Sequence, residues 1–341
     1  MDILTLISSG PKKLSSDSQG SPISPGHVVQ IHNSWAVNDS TKLSTFQVCK
    51  RKFFFQYLLG WDSDYKNHDL IFGTAAHIAK AHIIEKGYTP EAITEAFELF
   101  LKEYRIDFSE TTDPDFSTKN PERFAEALIT YATEYRTDKF KVLYTEVADK
   151  VIISNKYEIH FRIDAILEEE DGLIVRESKF SKWKSNNWGD TWFLKLQPGT
   201  YHFVLNCIAG DRPIKGVQMD GTFFYKNEIK HERYLLTMTE DELEAWRYTV
   251  VGLIEDILRE FEILKTESPS APAMKSFGRN GEACFAYYNK PCPYHTLCFA
   301  KSNPLRIVEE NEGNPPSGFF RKWWDPTKVE DRFKPLKGER K

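Results

Sequence analysis

From Thr41 to Lys139 apolar positions recur at the three-to-four-residue spacing of amphipathic helices, broken by short polar stretches. In "STFQVCKRKFFFQYLLGW" the residues Phe46, Cys49, Phe53 and Tyr57 fall at helical spacings, and Ser44 stands where a cap is expected. A second helix is predicted for "DLIFGTAAHIAKAHIIEKG", closed by Gly87. Two more, over 90–104 and 121–139, flank the polar loop "SETTDPDFSTKN". Near Leu143 the pattern changes to that of strands, which continue through "FRIDAILEEEDGLIVRESKF", Phe161 to Phe180, as a three-stranded meander. Helical spacing returns in "WFLKLQPGTYHFVLNCIAG", with Pro198 marking a kink or a late start. Strands follow in "IKGVQMDGTFFYKN" and "KHERYLLTM", and Thr239 is placed to cap a long helix, "EDELEAWRYTVVGLIEDILREFEIL".

This order of elements fits one α/β domain with a mixed central sheet flanked by helices, not the regular alternation of a doubly wound parallel sheet. Residues 1–26, rich in Ser, Gly and Pro, are expected to be a disordered tail. The folded domain is expected over 27–302, loop-like beyond Lys265, and 303–341 as a poorly folded, basic and aromatic tail. No internal repeat is visible.

Composition adds bounds. The 341 residues are 40% hydrophobic, 28% charged and 14% aromatic, as in a soluble globular protein with ample length for a core. A formal net charge of -5 argues against a protein that coats nucleic acid non-specifically. It does not exclude a nuclease, which collects carboxylates around metal ions and places its basic groups locally. No run approaches the roughly 20 apolar residues of a membrane span, so the expected location is the cytoplasm, of a bacterium or of a phage's host. Five cysteines, an odd number, do not suggest a disulfide framework. Three of them, Cys284, Cys292 and Cys298, crowd together, which suggests a metal.

The hairpin at 161–180 carries charge where apolar residues are expected. With Asp171-Gly172 as a two-residue loop, Asp164 pairs with Lys179 and Ile166 with Glu177. A four-residue loop places Asp164 opposite Glu177 instead. Either even register puts Asp164, Glu177 and Lys179 on one face, which also carries Leu173 and Val175. Burying such charges unpaired costs several kcal/mol each, and two close carboxylates repel. A divalent cation resolves both problems, whereas a surface ion pair of Lys179 with either acid would contribute only about 0 to 1 kcal/mol.

"RIDAI" followed by "RESKF" resembles the signature of the PD-(D/E)XK nuclease superfamily, with Asp164 as its aspartate, Glu177-Ser178-Lys179 as its (D/E)XK, and Ile163 where the proline would be. "FGTAAH", with Gly73 and His77, resembles the GxxxH motif of the RecB-like branch. "LQPGTY", with Gln197 and Tyr201 one helical turn apart, resembles its QxxxY motif, and "STFQVCKRKFFFQY" its N-terminal helix. The resemblance runs from about Thr41 to Cys298. It implies a restriction-endonuclease-like core and Mg²⁺ or Mn²⁺ held by His77, Asp164, Glu177 and the carbonyl of Ser178. It further implies that Lys179 positions or deprotonates the attacking water and that Gln197 and Tyr201 line the cleft. Glu146 is a candidate for a second ion.

Cys49 with Cys284, Cys292 and Cys298 supplies the four thiolates of a [4Fe–4S] cluster. One early cysteine joined to a late trio resembles the iron–sulfur nucleases of CRISPR adaptation and the AddB type, although the first two of the trio are spaced more widely here. Cys284, Cys292, His295 and Cys298 form a rival set for zinc. After the signature, "SKWKSNNWGDTWFLK" interleaves Lys182, Lys184 and Lys195 with Trp183, Trp188 and Trp192, either a groove for single-stranded DNA or ordinary loop packing. The implied function is a metal-dependent DNA exonuclease in recombination, repair, phage replication or defence, with DNA and a helicase or recombination protein as partners. The competing readings are a non-catalytic DNA-binding or scaffold subunit beside a helicase, and a restriction-like endonuclease.

Overall fold

The computed structural model describes residues 31–64, 67–285 and 291–328. The expected disordered tail at 1–26 lies outside them, as does the end of the basic tail. The described chain runs α1 (Ser40–Val48), α2 (Lys50–Phe53, continued by a π turn, Phe54–Leu58), β1 (Trp61–Ser63), α3 (His68–Lys86), α4 (Pro90–Tyr104), α5 (Pro121–Tyr135), β2 (Lys141–Ile152), β3 (Glu158–Glu169), β4 (Gly172–Ser181), α6 (Leu196–Ile208), β5 (Ile214–Phe224), β6 (Ile229–Leu236), α7 (Glu240–Leu264), α8 (His295–Ala300), α9 (Leu305–Glu310) and β7 (Phe319–Arg321). Where the sequence suggests one domain, the chain divides into two interleaved units. Among the described residues, one draws on 31–64, 150–161, 244–285 and 291–328, the other on 67–149 and 162–243.

The second unit holds the sheet. Its order is β2-β3-β4-β5-β6, with β4 antiparallel to β3 and parallel to β5, and β5 antiparallel to β6, so the expected mixed sheet is present. The far ends of β2 and β3 count with the other unit. Helix α3 starts at Asn67, whose side chain accepts from the Leu70 amide, and stops at Gly87, where φ is +93°. Thr89 and Asn120 cap α4 and α5 in the same way, each just ahead of a proline whose fixed φ suits the first turn. The inner faces of the three helices share one core of Phe72, Ala79, Phe100, Phe124 and Tyr131 with Phe224 of β5. Each such side chain contributes about 1.5–3 kcal/mol by leaving water. Helix α5 ends at Tyr135, short of the expected 139, because Asp138 turns back, its amide on the Tyr135 carbonyl and its carboxylate between Arg176 and Arg233.

Of the two even registers the sequence allows, β3 and β4 adopt the one that sets Asp164 opposite Glu177, not the Asp-Gly-centred one. Glu169 pairs with Gly172 and Ala165 with Arg176, so Glu170 and Asp171 form the tip and Gly172 opens β4. Two contacts select this register. The Leu173 amide donates to the Pro213 carbonyl, and Lys215 binds both Glu169 and Asp171. Gly172 sits at φ +139°, and an added Cβ would lie 2.6 Å from the Pro213 oxygen. Gly172→Ala is therefore expected to destabilise the protein by more than about 1 kcal/mol, read as a lowered urea midpoint at unchanged slope.

In the first unit, the cap of α1 is Asp39, not Ser44. One Asp39 oxygen accepts from the Lys42 amide and the other from the Trp324 indole. The single long helix suggested from Thr41 is broken at Cys49, whose φ of -158° and ψ of 108° are extended. Residues 303–328, expected as loose tail, are folded. Leu305, Ile307 and Val308 are buried, β7 pairs with β1, and Trp323 packs over Gly60. Four aromatic residues in this stretch, Phe319, Phe320, Trp323 and Trp324, gave it apolar surface to bury.

Candidate active site

The side chains that the sequence marks for chemistry are drawn together within the second unit, each by a different element. On α3, His77 lies one turn after Gly73, where an added Cβ would meet nothing within 4 Å, so that face stays open. Asp164 is on β3, Glu177, Ser178 and Lys179 are on β4, and Gln197 and Tyr201 share a face of α6, which starts late, with Pro198 in its first turn.

One Asp164 oxygen accepts from His77 Nδ1 and from the Ser178 amide, both at 2.8 Å. Lys179 Nζ donates to Glu177 Oε1 at 2.8 Å and to Gln197 Oε1 at 3.0 Å. The Gln197 amide nitrogen donates to the same Glu177 oxygen at 3.1 Å and to the Tyr201 hydroxyl at 2.7 Å. Tyr201 passes its own proton to the Arg162 carbonyl at 2.6 Å. Of the two carboxylates and the lysine, one buried atom is left over. Glu177 Oε2 is buried and has no hydrogen-bond partner.

The electrostatics divide the two acids. Burial alone would push the Asp164 carboxyl up, but His77, the Ser178 amide and Lys179 outweigh it and hold Asp164 below the ordinary range. Burial, then the neighbouring Asp164 charge, push Glu177 above its ordinary value, and Lys179 and His77 offset only part of that. His77 is raised because Asp164 and Glu177 overcome the burial of its ring. Tyr201 is held far above its ordinary value by burial and by both carboxylates, so it stays a neutral hydroxyl.

Among the described residues no group of three or more His, Cys, Asp and Glu is arranged as a metal site. His77 faces Asp164 as a hydrogen-bond partner. The two-carboxylate set nevertheless suits a hard divalent cation, which takes one or two protein carboxylates and completes its shell with water and phosphate. Glu177 Oε2 is the oxygen left for it.

Glu146 on β2 is buried at φ +47°, a strained backbone for a non-glycine residue. In the loop after β4, Trp188 is buried edge-on against Phe223, Trp192 lies under Lys195 and near Lys179, and Trp183 stays exposed. Lys182 faces Asp69, and Lys184 pairs with Glu232. Cys49, Cys284, Cys292 and Cys298 belong to the first unit, with Cys292 and Cys298 raised by burial and then partly by the other thiols of the set. His295 packs on Phe285 and Phe299. Cys207 is a half-buried thiol that desolvation pushes up to about 11.

The sequence reading missed the network behind the sheet. Asp220 of β5 is fully buried beside Lys80 at 3.5 Å and Arg233 at 3.7 Å, and accepts from the Tyr131 hydroxyl at 2.5 Å. Asp220 pairs in register with Ser178, and Lys80 follows His77 by one turn, so the network backs the strand and helix that carry Ser178 and His77. A charge inside the apolar run "VQMDGTFF" was the available signal.

The site thus sets an acid pair and a lysine on adjoining strands of a mixed sheet flanked by helices, a donor set suited to a hard cation and a phosphate. The chain belongs to the PD-(D/E)XK nuclease superfamily, whose family model matches residues 40–299. No curated protein matches it. Among solved structures it is similar to the one titled "Crystal structure of SSO0001", with 12% identity and a TM-score of 0.28 over 76% of this chain and 95% of that one. No helix among the described residues is long and apolar enough to cross a membrane.

Proposed function

We propose that the protein is a metal-dependent DNA nuclease of the RecB-like branch, acting as an exonuclease in recombination, repair, phage replication or defence. The observation that carries this reading is the bare, buried Glu177 Oε2 beside Asp164 and Lys179. Asp164 and Glu177 would hold Mg²⁺ or Mn²⁺, with His77 and the Ser178 carbonyl beside them and Glu146 as an outer carboxylate for a second ion. The ion supplies a water of lowered pKa and neutralises charge on the phosphate.

The remaining work belongs to the chain. Lys179, held by Glu177 and Gln197, presents its ammonium to the attacking water and to the phosphate oxygens as they gain charge. Gln197 fixes the rotamers of both Glu177 and Lys179, and the Tyr201 bond to the Arg162 carbonyl fixes Gln197 in turn. A scaffold subunit has no need of this arrangement. Incubation with end-labelled single-stranded, duplex and circular DNA in Mg²⁺ or Mn²⁺ tests it. Release of nucleotides from ends supports an exonuclease, cutting of circles an endonuclease, and no cleavage at all overturns the reading.

Cys49, Cys284, Cys292 and Cys298 are the proposed ligands of a [4Fe–4S] cluster. Arg51 supports this choice: its guanidinium is buried, feels Cys298 and Cys49, and leaves Nη1 without a partner, as suits a site that takes up negative charge. Anaerobically purified protein is expected to be brown and to contain iron and sulfide, with a Ser substitution at any of the four removing the colour. Colourless protein with stoichiometric zinc would transfer the site to the His295 set.

A further inference from the structure

Two large apolar side chains stand in water directly after Trp192, whose ring lies 5.1 Å from Lys179 Nζ. Phe193 is 42% exposed and Leu194 90% exposed. Single exposed apolar residues are ordinary, but an adjacent pair on a braced turn next to a charged centre is not. The turn is held from below. The amides of Trp192, Phe193 and Lys195 donate to the carbonyls of Gly189, Asp190 and Trp192, and Tyr234 binds the Asp190 carboxylate at 2.8 Å. Gly189 lies so close to the Tyr234 ring that an added Cβ would sit 2.2 Å from it. Such a turn can press on a ligand without folding away.

Position gives the pair a direction. Gln197, three residues after Leu194, bonds Glu177 and Lys179. The Trp192 ring lies between two cations, 5.1 Å from Lys179 Nζ and 3.9 Å from Lys195 Nζ. Lys195 is exposed and makes no ion pair among the described residues, so its charge is available to a phosphate. Apolar side chains set beside cations match a nucleic-acid end: the cations take the backbone, and apolar wedges of Phe or Leu unstack base steps.

We propose that Phe193 and Leu194 form a wedge that splits the terminal base pair of a duplex, so that one strand continues along Lys195 and Trp192 to the Glu177–Lys179 centre. This rests on the nuclease reading of that centre. The occupant is the end of a duplex, because Lys195, without an ion pair among the described residues, and the Trp192 ring beside the pair match a polyanion with flat apolar faces.

The test compares the protein with its Phe193→Ser/Leu194→Ser variant, and with Leu194→Met as the conservative control. On blunt duplex and single-stranded DNA of one sequence, the ratio of duplex to single-strand cleavage is expected to fall about tenfold in the double variant and to recover in Leu194→Met. A duplex with 2-aminopurine in its terminal pair, bound with Ca²⁺ in place of the catalytic ion, should brighten with the wild type and not with the double variant. An unchanged ratio, a wild type that leaves the probe dark, or self-association in sedimentation that the double variant abolishes would each overturn the wedge. If the wild type cleaves nothing, the nuclease reading fails by itself and the fluorescence alone decides the wedge.

Discussion

Glu177→Gln is expected to abolish cleavage of labelled DNA, by about a thousandfold or more, while the protein melts no lower than the wild type. The substitution keeps the shape of the side chain and an oxygen that can still accept from Lys179 and Gln197. It changes only the second position, replacing a bare buried oxygen with an amide nitrogen that repels a cation. Stability should rise for the same reason. Burial and Asp164 hold the Glu177 carboxyl above its free value of 4.5. The native state therefore keeps a proton that the unfolded chain has lost, and stability falls as pH climbs from the free value through the raised one. Glu177→Gln removes that loss, so its melting temperature should exceed that of the wild type above the interval and approach it below. Asp164→Ala and Lys179→Ala are also expected to abolish cleavage with the fold retained. Full activity of any of these variants with Mn²⁺ would sink the assignment of this centre.

Asp220→Ala is expected to cost about 3–5 kcal/mol of stability, because it strands buried cations without their shared anion. Asp220 has no exposure and serves Lys80, Arg233 and Arg176 at once. One acid among three cations also explains why both members of the Lys80–Asp220 pair are lowered. Burial, with the two guanidiniums, outweighs the pull of Asp220 and brings the Lys80 ammonium down to about 7 from 10.5. Below the lower value both folded and unfolded forms hold that proton and the full desolvation cost stands. Between the two values only the unfolded chain holds it, so stability through this group rises with pH. Urea unfolding across that window should show the rise in wild type and lose it in Lys80→Met. Since Lys80 and Asp220 adjoin His77 and Ser178, a folded Asp220→Asn variant should also lose cleavage, through displaced partners of Asp164 and not through lost chemistry.

Most of the fold was legible because its signals are local. Asn67, Thr89 and Asn120 cap helices that the apolar spacing already outlined, and Gly87 ends one of them by a φ that only glycine takes easily. Where distant residues decide, the sequence left a choice open or pointed the wrong way. The hairpin tip moved from Asp171-Gly172 to Glu170-Asp171 because Pro213 and Lys215, some forty residues on, hold the strand start. The helix through Cys49 breaks although its apolar spacing runs on, and the tail folds because Tyr294, Gly60 and Asp39 receive Phe319, Trp323 and Trp324.

The candidate site divides in the same way. By itself the sequence determined which residues could do chemistry: Asp164, Glu177 and Lys179 are out of place on a strand face, and His77, Gln197 and Tyr201 have the spacing to join them. Only the tertiary structure decided which atoms are engaged. It turned His77 onto Asp164, tied Lys179 to Glu177 and Gln197, left Glu177 Oε2 bare, and set Asp220 behind them. The physical reason is that residue type and spacing fix what a group can donate or accept, whereas desolvation and partner geometry arise only when separate elements pack.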